Sequence, residues 1–162
     1  MIVSIAFWGE GERSDLLILE RDFESKKYRY SANSYLILLK DLVLPNYTDK
    51  LIFMQDNTLI HIARKVTTWF VEHGIRLTDW PPYSPDFNLI EYTWKQLKDI
   101  AARIFPDLWK SDGKSEEDRT VIEEALKEVW AMIPVSFFVS LVESIERRVQ
   151  ACIDTKGWYT KY

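Results

Sequence analysis

A chain of 162 residues is long enough to bury the core of one domain, and its 47% hydrophobic and 28% charged residues predict a packed globule. The formal net charge of −4 argues against a strong nonspecific DNA binder, because such domains are usually basic. The single cysteine, Cys152, excludes an internal disulfide and fits a reducing compartment. The apolar run at 2–8 is too short for a membrane span, so neither a span nor a secretory signal is expected there.

Strands are predicted at the start of the chain. The β-branched and apolar run at 2–8 predicts one strand and the run at 16–20 predicts another, with a glycine-rich turn at 9–12 between them. Together they predict a hairpin. The apolar spacing at 31–42 then predicts a helix, capped by Ser31 or Asn33.

The middle of the chain predicts a β-α-β unit. A short apolar strand at 51–54 is followed by a helix at 60–73 and by a strand at 75–77, an order that favours parallel pairing. A proline-rich loop at 80–85 comes next. A helix is then predicted to about Ile104, capped by Asp86 or Asn88. Two more helices are predicted, one from Ser115, which begins a capping-box-like pattern, to Ile133, and one from Ser136 to Asp154 with Ile145 and Val149 facing inward.

Two carboxylates are candidates for chemistry. Asp56 follows the predicted strand at 51–54, where open α/β sheets place their sites, although an Asp there is also an ordinary turn former. Glu91 lies in the first turn of a predicted helix, where the helix dipole and Lys95 offer it a purely structural role. Carboxylates suit Mg²⁺ and two-metal phosphoryl transfer, but two of them alone are a weak signal.

The segments around both acids carry a longer pattern. Its residues are Met54-Gln55-Asp56-Asn57, His61, Trp80-Pro81-Pro82-Tyr83-Ser84-Pro85-Asp86-Phe87-Asn88-Leu89-Ile90-Glu91, Trp94 and Leu97-Lys98. This pattern resembles the mariner superfamily of transposases, with a C-terminal end most similar to fungal members. In that family a Gln-Asp-Asn segment carries the second catalytic Asp and a Ser-Pro-Asp-Leu-Asn-Pro-Ile-Glu segment carries the last acid. The 34 residues between Asp56 and Glu91 match the spacing of one large branch.

The resemblance implies an RNase H-like α/β domain over 1–162, a mixed sheet with flanking helices. It implies a DDE-type transposase that cleaves and joins DNA with Mg²⁺ or Mn²⁺ in a two-metal site. By this resemblance Asp56 and Glu91 are catalytic metal ligands, and Asn57 and His61 lie near the site. It also implies a nuclear protein whose partner is DNA, both transposon ends and target.

The family's first catalytic Asp lies on a central strand, upstream of the part that resembles 2–8. We therefore expect a chain without that strand, that acid and the family's N-terminal DNA-binding region. The sheet is then expected to be compressed, rearranged or paired through its open edges in a homodimer. With one of three carboxylates missing, little or no DNA cleavage is expected from the chain alone.

A noncatalytic, transposase-derived module that binds DNA or protein is the alternative function. Arg147, Arg148 and Lys156 make the C-terminal region locally basic and are candidates for contacts with DNA phosphates. A solvated helix face explains these three residues as well.

Overall fold

The computed structural model describes residues 2–25, 29–80, 84, 87–110, 115–158 and 160. The chain groups into two compact units, which are described separately below. The first unit consists of Met1–Ala6 and Ser14–Tyr83, and the second of Phe7–Arg13 and Ser84–Tyr162. The expectation of one domain over the whole chain stays a prediction.

In the first unit the predicted N-terminal strand is interrupted halfway. β1 (Ile2–Ser4) pairs antiparallel with β4 (Leu17–Leu19), which confirms the hairpin. Beyond this ladder the two segments are joined by a side chain, because the hydroxyl of the buried Ser14 accepts the Ala6 N–H at 2.9 Å. The strand expected at 2–8 therefore ends early, and its second half belongs to the other unit.

The first helix follows the sequence prediction closely. α1 (Ala32–Leu38) begins after Ser31, whose hydroxyl accepts the Asn33 N–H, so the predicted N-cap is confirmed. The helix continues as a π-helical turn at Leu39–Val43. It stops before Pro45, which has no N–H to extend the ladder.

The predicted β-α-β connection is present, but its strands are very short. Phe53 and Leu77 form an isolated parallel bridge, and α2 (Arg64–Glu72) connects them. The parallel arrangement is confirmed, but the strands expected at 51–54 and 75–77 are reduced to this bridge. Among the described residues the sheet consists only of this bridge and two separate two-stranded pieces. This agrees with the expected compressed or rearranged sheet, while a homodimer through open edges stays a prediction.

The core of the first unit lies between α1, the π-helical turn and α2. Apolar and aromatic side chains from these helices pack with residues of β4 and the segment after α2. The buried members are Leu19, Ala32, Tyr35, Leu38, Leu39, Leu42, Val43, Val66, Trp69, Phe70 and Ile75. This core holds α1 and α2 in place, and the segment between Phe53 and α2 packs beside them.

The second unit is mainly helical. It contains α3 (Leu89–Ile104), α4 (Glu116–Met132) and α5 (Val135–Asp154). Ser115 caps α4 by accepting the Asp118 N–H at 3.0 Å, as predicted. None of the described helices alone is long and apolar enough to cross a membrane. Taken together, the bent pair α4–α5 has the length and composition for a span, and no other described pair does.

A second small hairpin packs on these helices. β2 (Phe7–Trp8) pairs antiparallel with β3 (Glu12–Arg13). Gly11 in the turn has φ +99°, and an added Cβ would lie 2.5 Å from the Val135 Cγ1 atom. Both the turn geometry and the close approach to α5 therefore require glycine at this position.

Arg13 fastens this hairpin to the end of α4. Its guanidinium donates to the carbonyl of Ile133 at 2.6 Å and to that of Ala131 at 3.0 Å. These carbonyls lie at the end of a helix, where backbone acceptors have no partner within the helix. The same guanidinium lies 5.2 Å from the ring centroid of Trp130, within cation–π range.

Candidate active site

Asp56 lies in an irregular segment just after the parallel bridge of Phe53, as the sequence predicted for the carboxyl end of a strand. The Thr58 N–H donates to Asp56 Oδ1 at 3.0 Å, and His61 Nδ1 lies 2.7 Å from the same oxygen. The first contact closes a turn in which the Asp side chain accepts from the backbone two residues on. Side-chain contacts, rather than a ladder of backbone hydrogen bonds, therefore orient this carboxylate.

The surroundings of Asp56 keep it ionised. Burial alone would raise the pKa of the carboxyl, but the hydrogen bonds from Thr58 and the nearby His61 outweigh it and hold the pKa below its ordinary value. The side chain is 45% exposed, against 21% for His61. Asp56 thus presents a charged carboxylate that solvent or a cation can reach.

His61 lies beside Asp56 and also contacts or neighbours two residues for which the sequence predicted no role at the site, Tyr35 and Gln55. The ring of Tyr35 packs on the His61 imidazole with 4.2 Å between centroids. The Tyr35 hydroxyl donates to Gln55 Oε1 at 2.6 Å. One signal in the sequence could have revealed this contact, because a buried tyrosine hydroxyl needs a hydrogen-bond partner.

Asn57 is exposed and connects the Asp56 segment to Trp80, the first residue of the proline-rich loop. Its Nδ2 donates to the Trp80 carbonyl at 3.1 Å. Residues 81–83 and 85 of that loop lie outside the described residues, as does Asp86, whose predicted capping role therefore stays a prediction. The structure therefore describes Asn57 as a positioning contact of the segment.

Glu91 occupies the first turn of α3 and its side chain is exposed. Its N–H donates to the Asn88 carbonyl at 3.2 Å. The Asn88 side chain makes no capping hydrogen bond, so of the two predicted caps the Asn88 alternative is wrong, while Asp86 lies outside the described residues. Within the described part of the chain, Glu91 and Lys95 form no ion pair. Of the two structural explanations considered for Glu91, the helix dipole therefore remains and the ion pair with Lys95 does not.

The candidate phosphate contacts at the C-terminal region need one correction. Arg148 is only 3% exposed, its Nε donates to Ser144 Oγ at 2.7 Å, and its guanidinium lies 4.3 Å from the Tyr92 ring centroid. A guanidinium buried in this way holds α5 against α3 and is not exposed for a contact with a phosphate. Arg147 and Lys156 are exposed, and their contacts with DNA stay predictions.

A divalent cation fits Asp56 chemically. Mg²⁺ and Mn²⁺ prefer hard oxygen ligands and often take one or two carboxylates, with water in the other positions. No cluster of three or more His, Cys, Asp or Glu side chains with metal-binding geometry occurs among the residues that the structure describes. Asp56 therefore fits as one ligand of such a cation.

The family is shown by comparison with known proteins. A family model described as DDE superfamily endonuclease matches residues 20–110, more than half of the chain and a span that contains Asp56 and Glu91. The chain belongs to this family of DDE endonucleases, which confirms the resemblance found in the sequence.

Curated relatives narrow the similarity to Tc1-type transposases. The chain is 32% identical over 136 residues to the Tc1 transposase of Caenorhabditis elegans, covering 84% of this chain and 46% of that protein. It is 34% identical over 111 residues to the Tcb2 transposase of Caenorhabditis briggsae, covering 68% of this chain and 37% of that protein. The chain thus spans less than half the length of these relatives.

Solved structures confirm the fold. The crystal structure of the catalytic domain of Mos1 mariner transposase superposes with a TM-score of 0.62 at 18% identity, over 99% of this chain and 82% of that one. Two further structures of the Mos1 catalytic domain with raltegravir contain Mn and Mg, and their TM-scores are 0.63 and 0.61. The expected RNase H-like α/β fold is therefore correct.

Proposed function

We propose that this chain is part of a transposase catalytic domain that cleaves and joins DNA by metal-dependent phosphoryl transfer, with Asp56 and Glu91 as ligands of Mg²⁺ or Mn²⁺. The observation that carries the proposal is the Asp56 carboxylate. It is ionised, half-exposed, held by Thr58 and His61, and lies inside the region that matches the DDE endonuclease family.

In this proposal the residues of the chain have distinct tasks. Asp56 offers an oriented carboxylate oxygen and Glu91 an exposed one, each without a competing lysine or arginine ion pair in the described part of the chain. When bound, divalent cations in such sites activate the attacking oxygen and stabilise the leaving oxygen. Arg147 and Lys156 are proposed phosphate contacts, and DNA in the nucleus is the proposed partner.

Metal titration tests the proposal directly. In calorimetric titration of the full chain with MnCl₂, Asp56→Asn and Glu91→Gln are each expected to weaken affinity at least about tenfold, because each removes an anionic ligand. Since Glu91 is exposed and forms no ion pair with another described residue, Glu91→Gln should change the free energy of unfolding by less than about 0.5 kcal/mol.

Asp22→Asn is the matched control for this titration. Asp22 is another hydrogen-bonded aspartate of the first unit, but it accepts its hydrogen bonds from Ser31 and Asn33 at the start of α1, so its replacement should leave Mn²⁺ affinity unchanged. Equal Mn²⁺ affinity in the parent chain and in Asp56→Asn would contradict the proposed role of Asp56.

A further inference from the structure

The Asp56 carboxylate is joined by a chain of contacts to the core of the first unit. His61 contacts Asp56 Oδ1 through Nδ1, and the ring of Tyr35, a residue of α1, packs on the His61 imidazole. Tyr35 itself is 6% exposed and belongs to the buried cluster of that core. A rigid core side chain therefore lies one residue away from the candidate ligand.

A second connection runs through Gln55, the residue before Asp56. The Tyr35 hydroxyl donates to Gln55 Oε1 at 2.6 Å, which turns the Gln55 amide nitrogen toward the His61 carbonyl at 3.4 Å. Tyr35 thus restrains the backbone of His61 through Gln55 and the imidazole of His61 through its ring. Both restraints act on His61, the residue that contacts Asp56.

The segment around Asp56 needs such restraints. Residues 54–58 have no regular secondary structure, so no ladder of backbone hydrogen bonds determines where the carboxylate points. Groups that orient a metal ligand from behind commonly change metal affinity when they are removed. Burial raises the pKa of the Tyr35 hydroxyl, with a further contribution from the charge of Asp56, so the hydroxyl stays a donor at neutral pH.

We propose that Tyr35 is a positioning residue for Asp56, acting through His61 and Gln55 to fix the direction of the carboxylate. Its effect on metal affinity rests on the proposed function, whereas its effect on His61 does not. The variant Tyr35→Phe isolates the proposal, because it keeps the buried ring and removes only the hydroxyl that holds Gln55.

The control is Tyr47→Phe. The Tyr47 hydroxyl also lies in the first unit and makes two hydrogen bonds, donating to the Leu51 carbonyl at 3.1 Å and accepting the Arg76 N–H at 2.9 Å. Its loss should lower the melting temperature at least as much as the loss of the Tyr35 hydroxyl. It touches neither Gln55 nor His61, so a purely structural effect appears equally in both variants.

Nuclear magnetic resonance of the imidazole nitrogens provides a readout that general destabilisation does not move. The chain has two histidines, and His73, which stacks on Trp69 with 4.2 Å between ring centroids, serves as the internal reference. Tyr35→Phe should shift the His61 signals and leave those of His73 unchanged, and Tyr47→Phe should shift neither. In MnCl₂ titrations, Tyr35→Phe should weaken affinity about three- to tenfold, the effect of one lost hydrogen bond, and Tyr47→Phe should not.

The two proposals fail in different ways. Unchanged His61 signals in Tyr35→Phe, or Mn²⁺ affinity that falls equally in both tyrosine variants, would overturn the positioning role. A parent chain that binds no Mn²⁺ would instead overturn the proposed function, and the His61 signals would still decide whether Tyr35 orients the pair.

Discussion

The segments that carry Asp56 and Glu91 hold their carboxylates in opposite ways. Asp56 lies on irregular backbone and is oriented by polar contacts with Thr58 and His61. Glu91 lies on a regular helix whose backbone places it, and its side chain is exposed. The position of Asp56 thus depends on a few side-chain hydrogen bonds, whereas that of Glu91 depends on the packing of α3.

Removing apolar packing under Glu91 should have the largest effect on stability. Leu89 is 2% exposed and precedes Glu91 by two residues, so Leu89→Ala should lower the free energy of unfolding by about 2–5 kcal/mol. Ile104→Ala, at the exposed end of the same helix, should cost about 1 kcal/mol or less. Urea denaturation measures both. Equal losses would mean that α3 is not anchored at the Glu91 end.

A smaller effect is expected at Asp56, where the interaction is polar and partly screened by water. A double-mutant cycle of His61→Ala with Asp56→Asn should give a coupling of about 1 kcal/mol, because the Nδ1–Oδ1 contact joins a half-exposed carboxylate. The cycle of His73→Ala with Asp56→Asn should be additive, since His73 bonds to the Trp69 carbonyl instead. Coupling of the same size in both cycles would show that the first does not report a direct contact.

The smallest effect concerns Asp22, a carboxylate held by side-chain donors like Asp56 but in a structural setting. The Ser31 hydroxyl, followed by the Asn33 amide and the N–H groups of Glu24 and Ser25, holds the pKa of Asp22 below its ordinary value. Its stabilising contribution is therefore complete above the unfolded-state pKa of about 3.9 and is lost as the pH falls through the lower folded-state pKa.

Urea denaturation of the parent chain and Asp22→Asn tests this pH dependence. The difference in unfolding free energy should be larger at pH 5 than at pH 2.5, and small throughout because Asp22 is partly exposed and water screens its interactions. A difference that does not change with pH would mean that the hydrogen bonds do not favour the ionised form.

Local features of the fold were predictable from the sequence. The caps at Ser31 and Ser115 depend on a hydroxyl and the N–H groups that directly follow it, so a short pattern determines them. The transposase motif likewise indicated the family, and its assignment of Asp56 and Glu91 as metal ligands stays a prediction. These features share one property, which is that their partners lie within a few positions along the chain or within one motif.

Features that depend on distant partners were missed or misjudged. Charge suggested an exposed Arg148 and apolar spacing suggested inward Ile145 and Val149, yet Arg148 is buried and the other two are exposed. The guanidinium can be buried because Ser144 accepts its hydrogen bond and Tyr92 lies across its face. Tyr92 is far from Arg148 in sequence, so helical periodicity alone carries no information about this contact.

The Arg13 contacts have a consequence for how the second unit folds. The arginine and the carbonyls of Ala131 and Ile133 that it binds are separated by 118 and 120 positions. At a synthesis rate of about 5–20 residues per second, the hairpin leaves the ribosome on the order of ten seconds before the helix end that receives it. Attachment of the hairpin to the helices therefore closes a long loop, and this step is expected to be slow compared with the formation of the individual helices.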